Sequence, residues 1–396
     1  ATRPPTESMF LEDFGHERLP GAWLVGTVVM LVVVELFARF VSRIGVLKMF
    51  AMAAGLSGVV LLILLSVRAS SHVCSSSLSS AMLTGVYLRL ATTYALYVFK
   101  EVYIILLVEA FWMAANLIFP VRTARWTYGL FCAAGAIGGI VGNAAALVLA
   151  GLVGSANGLW IIIPCLLLAT VLALVFERNV GVELVADTRK TRKGLGLLGV
   201  PRLLLRSPYL VWILLLVATT QVVITLIDYE YNGAVKAAFS NVDTRTQVIS
   251  TVYVAINLSS LAFQLLTGPV LRFVGVPATL FAVPVMLGAT IVSYLAWPVF
   301  GVMAMAKVAS KSLDYSLFRA AKEILYIPLS FRDKTEGKAL VDMLVYRSAK
   351  GGTYPLFQGI AAGGVWSVPA VTLAFVGVWV GITRILVARF RRLERE

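Results

Sequence analysis

The sequence predicts an all-α integral membrane protein, and three observations carry that prediction: composition, apolar runs of spanning length, and alternating charge in the turns between them. Of 396 residues, 59% are hydrophobic and 14% charged, and the mean hydropathy is +0.89. That is more apolar surface than one soluble core can hide, so lipid is the solvent for much of it. A spanning helix needs about 20 predominantly apolar residues, and runs of that order recur from Leu19 to the C-terminus. Backbone groups in lipid must bond internally, and the period-2 alternation of a membrane β-barrel is absent.

Taken in order, the runs predict helices near 20–43, 46–67, 88–119, 124–153, 158–177, 208–232, 246–270, 277–297, 300–322, 340–362 and 366–390. The turns holding Arg39, Arg43 and Lys48, then Arg122 and Arg125, Arg189 to Arg206, Arg272, Arg319 to Lys338, and the tail Arg384 to Arg395 are basic. They alternate with turns poor in positive charge, so one topology satisfies every turn, with the basic ones cytoplasmic. The formal charge of +14 is therefore a feature of membrane orientation, with lipid as its partner and no nucleic acid.

Arg43-Ile44-Gly45-Val46 recurs as Arg272-Phe273-Val274-Gly275-Val276, each in a short turn after a long helix. Two parallel repeats of six helices are the plan of the major facilitator fold. On that plan the chain divides into an N-terminal bundle over 1–177, a cytoplasmic linker over 178–207 and a C-terminal bundle over 208–396. The first bundle is then one helix short, and Arg3-Pro4-Pro5 is taken as the end of a first helix whose body lies outside the sequence. A genuine eleven-helix protein is the alternative.

Several motifs carry no chemistry. Gly194-Leu-Gly196-Leu-Leu-Gly199 fits GxGxxG, but a dinucleotide site needs a preceding strand, and a basic run stands there instead. Gly135, Gly138, Gly139 and Gly142 are small-xxx-small pairs, expected to serve close helix packing. The run Arg189 to Lys193 suits an anionic membrane surface. Three cysteines, Cys74, Cys132 and Cys165, form no framework, and His16 and His72 belong to no metal or nucleophile constellation. No enzyme activity, metal or cofactor is expected.

The informative residues are charges inside apolar helices, each costing about 2.5–3.5 kcal/mol on insertion scales unless paired or hydrated. Lys307, Lys311 and Asp314 share a helical face at i, i+4 and i+7, and Asp342, Tyr346 and Lys350 repeat at i+4 with Arg347 beside them. Glu101, Glu109 and Asn116 form a stripe with Ile105 and Trp112. So do Gln221, Thr225, Asp228 and Asn232, and likewise Asn257, Ser260 and Gln264. Such stripes predict a water-filled substrate cavity. Cations outnumber carboxylates in the second half, which favours an anionic substrate. The alternative reading of these charges is interhelical pairing that fixes packing, Lys311 with Asp314 or Lys350 with Glu109.

The run Lys311-Ser-Leu-Asp-Tyr-Ser-Leu-Phe-Arg-Ala-Ala-Lys322-Glu323-Ile-Leu-Tyr-Ile-Pro328-Leu, followed by Gly337-Lys338-Ala339, Asp342 and Lys350-Gly351-Gly352, resembles the signature of the nucleotide (ATP/ADP) translocases of plastids and intracellular bacteria. Phe111-Trp112-x-x-Ala115-Asn116 and Arg206-Ser207-Pro208-Tyr209, running on to Leu226-Ile227-Asp228 and Lys236, are similar to the same family. The resemblance implies a twelve-helix major facilitator fold that exchanges ATP for ADP by alternating access. It also implies a multi-pass protein of a bacterial inner membrane, or of a plastid envelope, acting as a monomer or within a larger assembly.

Family charges carry over to Glu101, one residue out of register, to Asp228 where Glu is expected, and to Lys350. The departures are Asp314, where many members have Lys, Arg347, which is not typical, and a first-helix lysine with no counterpart here. The expected substrate set is thus Lys311, Arg347 and Lys350 for phosphates, with Asp228, Glu101, Glu109, Asn116 and Tyr346 lining or balancing the cavity. Lys307, Asp314, Asp342, Lys322 and Glu323 are expected to gate it or to form ion pairs. A non-transporting membrane scaffold or regulatory subunit of the same fold, and a carrier of another organic anion, are the competing functions.

Overall fold

The apolar runs fold as helices throughout a computed structural model of the chain, which describes residues 2–74, 79–118, 121–180, 207–326, 329, 346–360 and 367–393. Contacts divide it into two compact units, Ala1–Lys193 with Phe239–Thr251, and Gly194–Ala238 with Val252–Glu396. The first holds α1 (Arg3–Phe14), α2 (Leu19–Ile44), α3 (Val46–Cys74), α4 (Ser79–Ile118) and α5 (Val121–Leu152). A single turn, α6 (Ser155–Gly158), then leads through a 3-10 turn (Leu159–Ile161) into α7 (Ile162–Val180). The second unit holds α8 (Pro208–Ala238), α10 (Val276–Ala296), α11 (Phe300–Leu313), a π turn (Asp314–Phe318) and α12 (Arg319–Leu325). It is completed by α13 (Tyr346–Gly352), α14 (Tyr354–Ile360) and α15 (Ser367–Leu393), and α9 (Val242–Phe273) begins in the first unit and continues in the second. No strand occurs among the described residues.

Among these residues eight helices are long and apolar enough to cross a bilayer. They coincide with eight of the predicted spans. Of the other three, 88–119 lies within the 40-residue α4, 300–322 is divided at the π turn, and 340–362 is described only over 346–360, where Thr353 separates two short helices. Large apolar side chains such as Leu56, Ile63, Leu168, Leu172 and Val292 stand exposed on these helices, as a lipid-facing surface requires. The linker with its GxGxxG falls almost wholly within 181–206, outside the described residues.

In the first unit α4 packs along α1, α2 and α3, and Met9, Leu61, Leu65, Leu96, Tyr103 and Ile162 form part of one buried core. Arg3-Pro4-Pro5 do not close a helix, because α1 runs on from them to Phe14. Proline is tolerated in a first turn, where the backbone N–H has no intrahelical acceptor in any case. The helix then persists because Phe10 and Leu11 are fully buried, with Phe10 against the rings of Phe14, Tyr94 and Tyr97. At Gly135 and Gly138 of α5 nothing among the described residues lies within 4 Å of an added Cβ.

In the second unit α8 is the central helix, packed on α11, α13 and α15. Its leucines and isoleucines, Leu210, Ile213, Leu216, Leu226 and Ile227, are fully buried, and its polar stripe of Gln221, Thr225, Asp228 and Asn232 is buried too. A helix apolar on nearly all sides is the one that can be enclosed by its neighbours.

The repeated turns share a backbone conformation that their sequence similarity foreshadows. Gly45 and Gly275 have φ of 93° and 87°, each one residue before the next helix. At Gly275 ψ is 157°, a region essentially closed to residues bearing a Cβ. An added Cβ there meets nothing closer than Pro277 Cδ at 3.9 Å, so the penalty is conformational and not a clash. Gly275→Ala is expected to destabilise the protein by about 1–3 kcal/mol, read as a lower unfolding temperature in detergent.

Candidate functional site

The polar stripe of α8 carries the buried Asp228, and α11 presents Lys307 and Lys311 one turn apart. Residues at i and i+4 lie above one another, so both ammonium groups reach a single carboxylate. Lys307 Nζ lies 2.7 Å from Asp228 Oδ1, and Lys311 Nζ lies 3.0 Å from Oδ2. Asp228 and Lys307 are buried and Lys311 is half-buried, and the Lys307 ammonium also sits 5.1 Å from the Tyr231 ring centroid and 5.9 Å from that of Tyr253. Lys350, on α13 against α8, acts electrostatically on the same aspartate. Asp314 is within 3.5 Å of the Gln221 amide nitrogen, about two turns before Asp228 on α8.

Three lysines thus surround Asp228 of α8, with Asp314 of the π turn nearby, one positive charge more than the carboxylates among these residues. Lys311 forms an ion pair with Asp228, and Asp314 also acts on it electrostatically. A π turn begins at Asp314, directly after the end of α11. The tertiary fold thus joins Asp228, Lys307, Lys311 and Lys350, drawn from three helices. Lys322 is buried on α12 with Glu323 half-buried beside it. For Tyr346, Arg347 and Asn116 the helical backbone is described and the side chains are not, while Asp342 lies outside the described residues.

Glu101 and Glu109 belong to the first unit, on α4. Glu101 Oε1 is 3.4 Å from Lys100 Nζ, which is also 3.0 Å from Glu7 Oε1 of α1 and 4.1 Å from the Tyr97 ring centroid. Lys100 is 1% exposed, more buried than the predicted site charges among the described residues. It escaped the sequence-based set although the same insertion penalty that marks Glu101 marks its neighbour. The second missed group joins α1 to the start of α9. Arg245 donates to Glu12, Ser155 donates through N and Oγ to Asp243 Oδ1 at 2.7 and 2.6 Å, and Ser8 Oγ donates to the Val242 carbonyl at 2.5 Å. Only contacts 88 or more residues apart in the chain reveal it.

Comparison with known proteins gives this arrangement a context. Residues 64–305 and 298–396 match the sequence profile of the TLC ATP/ADP transporter family. ADP,ATP carrier protein 1 of Chlamydia muridarum is 30% identical over 178 residues, covering 40% of this chain and 34% of its own. ADP,ATP carrier protein 3 of Rickettsia felis is 24% identical over 306 residues, covering 64% of this chain and 60% of its own. The chain thus spans from about a third to three fifths of the length of these relatives. Among solved structures, a bacterial homologue of the iron transporter ferroportin in its inward-facing state superposes with a TM-score of 0.62 at 15% identity, covering 97% of this chain and 96% of that one. At that identity the likeness concerns fold alone, and the fold is the all-α major facilitator type.

Proposed function

We propose that this chain, which belongs to the TLC ATP/ADP transporter family, carries nucleotides or related phosphorylated anions across a membrane by exchange, with the lysines around Asp228 as the phosphate-binding group. The single observation that supports this reading most is one buried carboxylate shared by two ammonium groups and influenced by a third. In the empty protein Asp228 offsets part of the lysine charge. A polyphosphate entering the group replaces the carboxylate as partner, so the lysines exchange one anion for another without an uncompensated intermediate. That logic favours obligatory exchange, because release of the phosphates is costly unless Asp228 or a second anion takes their place. The π turn that begins at Asp314, three residues after Lys311, weakens the helical ladder where the lysine-bearing segment would have to move.

In this reading 1–177 and 208–396 are the two bundles and 178–207 is a linker on the cytoplasmic side, which the alternation of turn charge supports. Glu101 and Glu109 would balance charge from the first bundle. Purified protein in proteoliposomes loaded with ADP is expected to take up labelled ATP, with uptake falling at least tenfold when the vesicles contain no nucleotide. Uptake equal in loaded and empty vesicles would remove the exchange mechanism. No uptake of any nucleotide, with competition by other phosphorylated anions also absent, would favour the non-transporting scaffold.

A further inference from the structure

Phosphate binding at Lys311 leaves the residues directly after it without a role. From Ser312 to Phe318 the chain is buried at Ser312, Leu313, Asp314, Ser316, Leu317 and Phe318, and is open at one residue, Tyr315, which is half-buried. Packing explains the difference. Phe318 meets the Trp379 ring of α15 edge-on, with centroids 5.6 Å apart and planes at 85°. Ser316 Oγ donates to the Ser312 carbonyl at 2.5 Å, and Ser312 Oγ to that of Val308 at 2.7 Å. These contacts hold the other residues of the π turn toward the core and leave Tyr315 on the outer side.

Lys311, Tyr315 and Arg319 stand four residues apart in sequence, and they are half-buried, half-buried and exposed. They form one accessible stripe along α11, the π turn and α12, and a stripe carrying two cations faces water or a ligand, not hydrocarbon. Tyr315 is close enough to Lys311 to act on it electrostatically. Four residues are a rise of about 6 Å along a helix, so a molecule with its phosphates on Lys311 has an aromatic ring within reach of its other end. A planar heteroaromatic base gains by stacking on such a ring, whereas a sugar phosphate has no π face to offer. π turns inside helices are also rare and concentrate at functional sites. We propose that Tyr315 determines specificity at the Asp228 site by stacking on the base of a nucleoside polyphosphate. This inference rests on the phosphate-binding reading of Lys311, and it narrows the cargo from phosphorylated anions at large to nucleotides.

The full chain, purified in detergent, is titrated calorimetrically at constant ionic strength with ATP and with methyl triphosphate, which has the same phosphate chain and no nucleoside. The wild type is expected to prefer ATP by about tenfold or more, the order that one stacked base contributes. Tyr315→Leu should lose most of that preference and bind methyl triphosphate as before, Tyr315→Phe should keep it, and Lys311→Gln should weaken both ligands. Photolysis of 8-azido-ATP on the wild type needs no variant, and should label the Asp314–Phe318 turn in competition with ATP. Three results overturn the role of Tyr315 and leave the phosphate reading standing. They are equal binding of both ligands by the wild type, a folded Tyr315→Leu protein that keeps the ATP preference, and azido label confined to other helices. Wild-type protein that binds neither ligand overturns the phosphate reading and this one together.

Discussion

Asp228→Asn is expected to lower the stability of the protein by about 3–5 kcal/mol and to abolish exchange, because it leaves the buried Lys307 and half-buried Lys311 ammonium groups without their carboxylate. The Coulombic gain of a buried pair barely exceeds the desolvation of its members, but removing one partner leaves the desolvation of the others uncompensated. The measurement is thermal unfolding in detergent alongside vesicle uptake. Asp228→Glu keeps the charge and should recover most of the stability, with exchange recovered to the extent that the longer side chain still reaches both lysines. The triple change Asp228→Leu, Lys307→Met, Lys311→Met should restore folding by removing the charges together, yet remain inactive. A folded, fully active Asp228→Asn protein would show that the aspartate balances nothing in the transport cycle.

Lys350→Ala separates substrate binding from structure. Lys350 is half-buried, not enclosed as Lys307 is, and Gly351 and Gly352 follow it, where the missing side chains let a bulky anion approach the backbone. A charge-assisted contact with phosphate contributes about 1.5–3 kcal/mol, so the truncation is expected to raise the nucleotide dissociation constant by about one to two decades. The unfolding temperature should move little, because Asp228 keeps its two direct partners. Lys350→Arg retains charge with a different geometry and should rescue binding in part. Unchanged nucleotide binding by well-folded Lys350→Ala protein would exclude the lysine from the site.

Composition and run length alone were sufficient for the fold class, since 59% hydrophobic residues leave the backbone no choice but internally bonded helices in lipid. The repeated Arg-to-Gly turns were also legible, because a positive φ demands glycine wherever it recurs, as at Gly45 and Gly275. So were the residues of the candidate site taken singly, Asp228, Lys307, Lys311 and Lys350, since a charge inside an apolar helix is marked by its cost. Their partnership was not. Periodicity orders side chains on one helix and is silent about which face of another helix they meet, so Lys311 looked suited to Asp314, three residues away, when the carboxylate of its ion pair comes from α8. The π turn is invisible for the same reason, as it changes the ladder without changing composition. The helix at Arg3–Phe14 depends on burial of Phe10 among aromatic rings of α4, a contact made across more than 80 residues of chain. That Tyr315 alone in the π turn stays half-buried is likewise a consequence of packing and not of any local pattern, since Phe318 is taken up by Trp379 of α15.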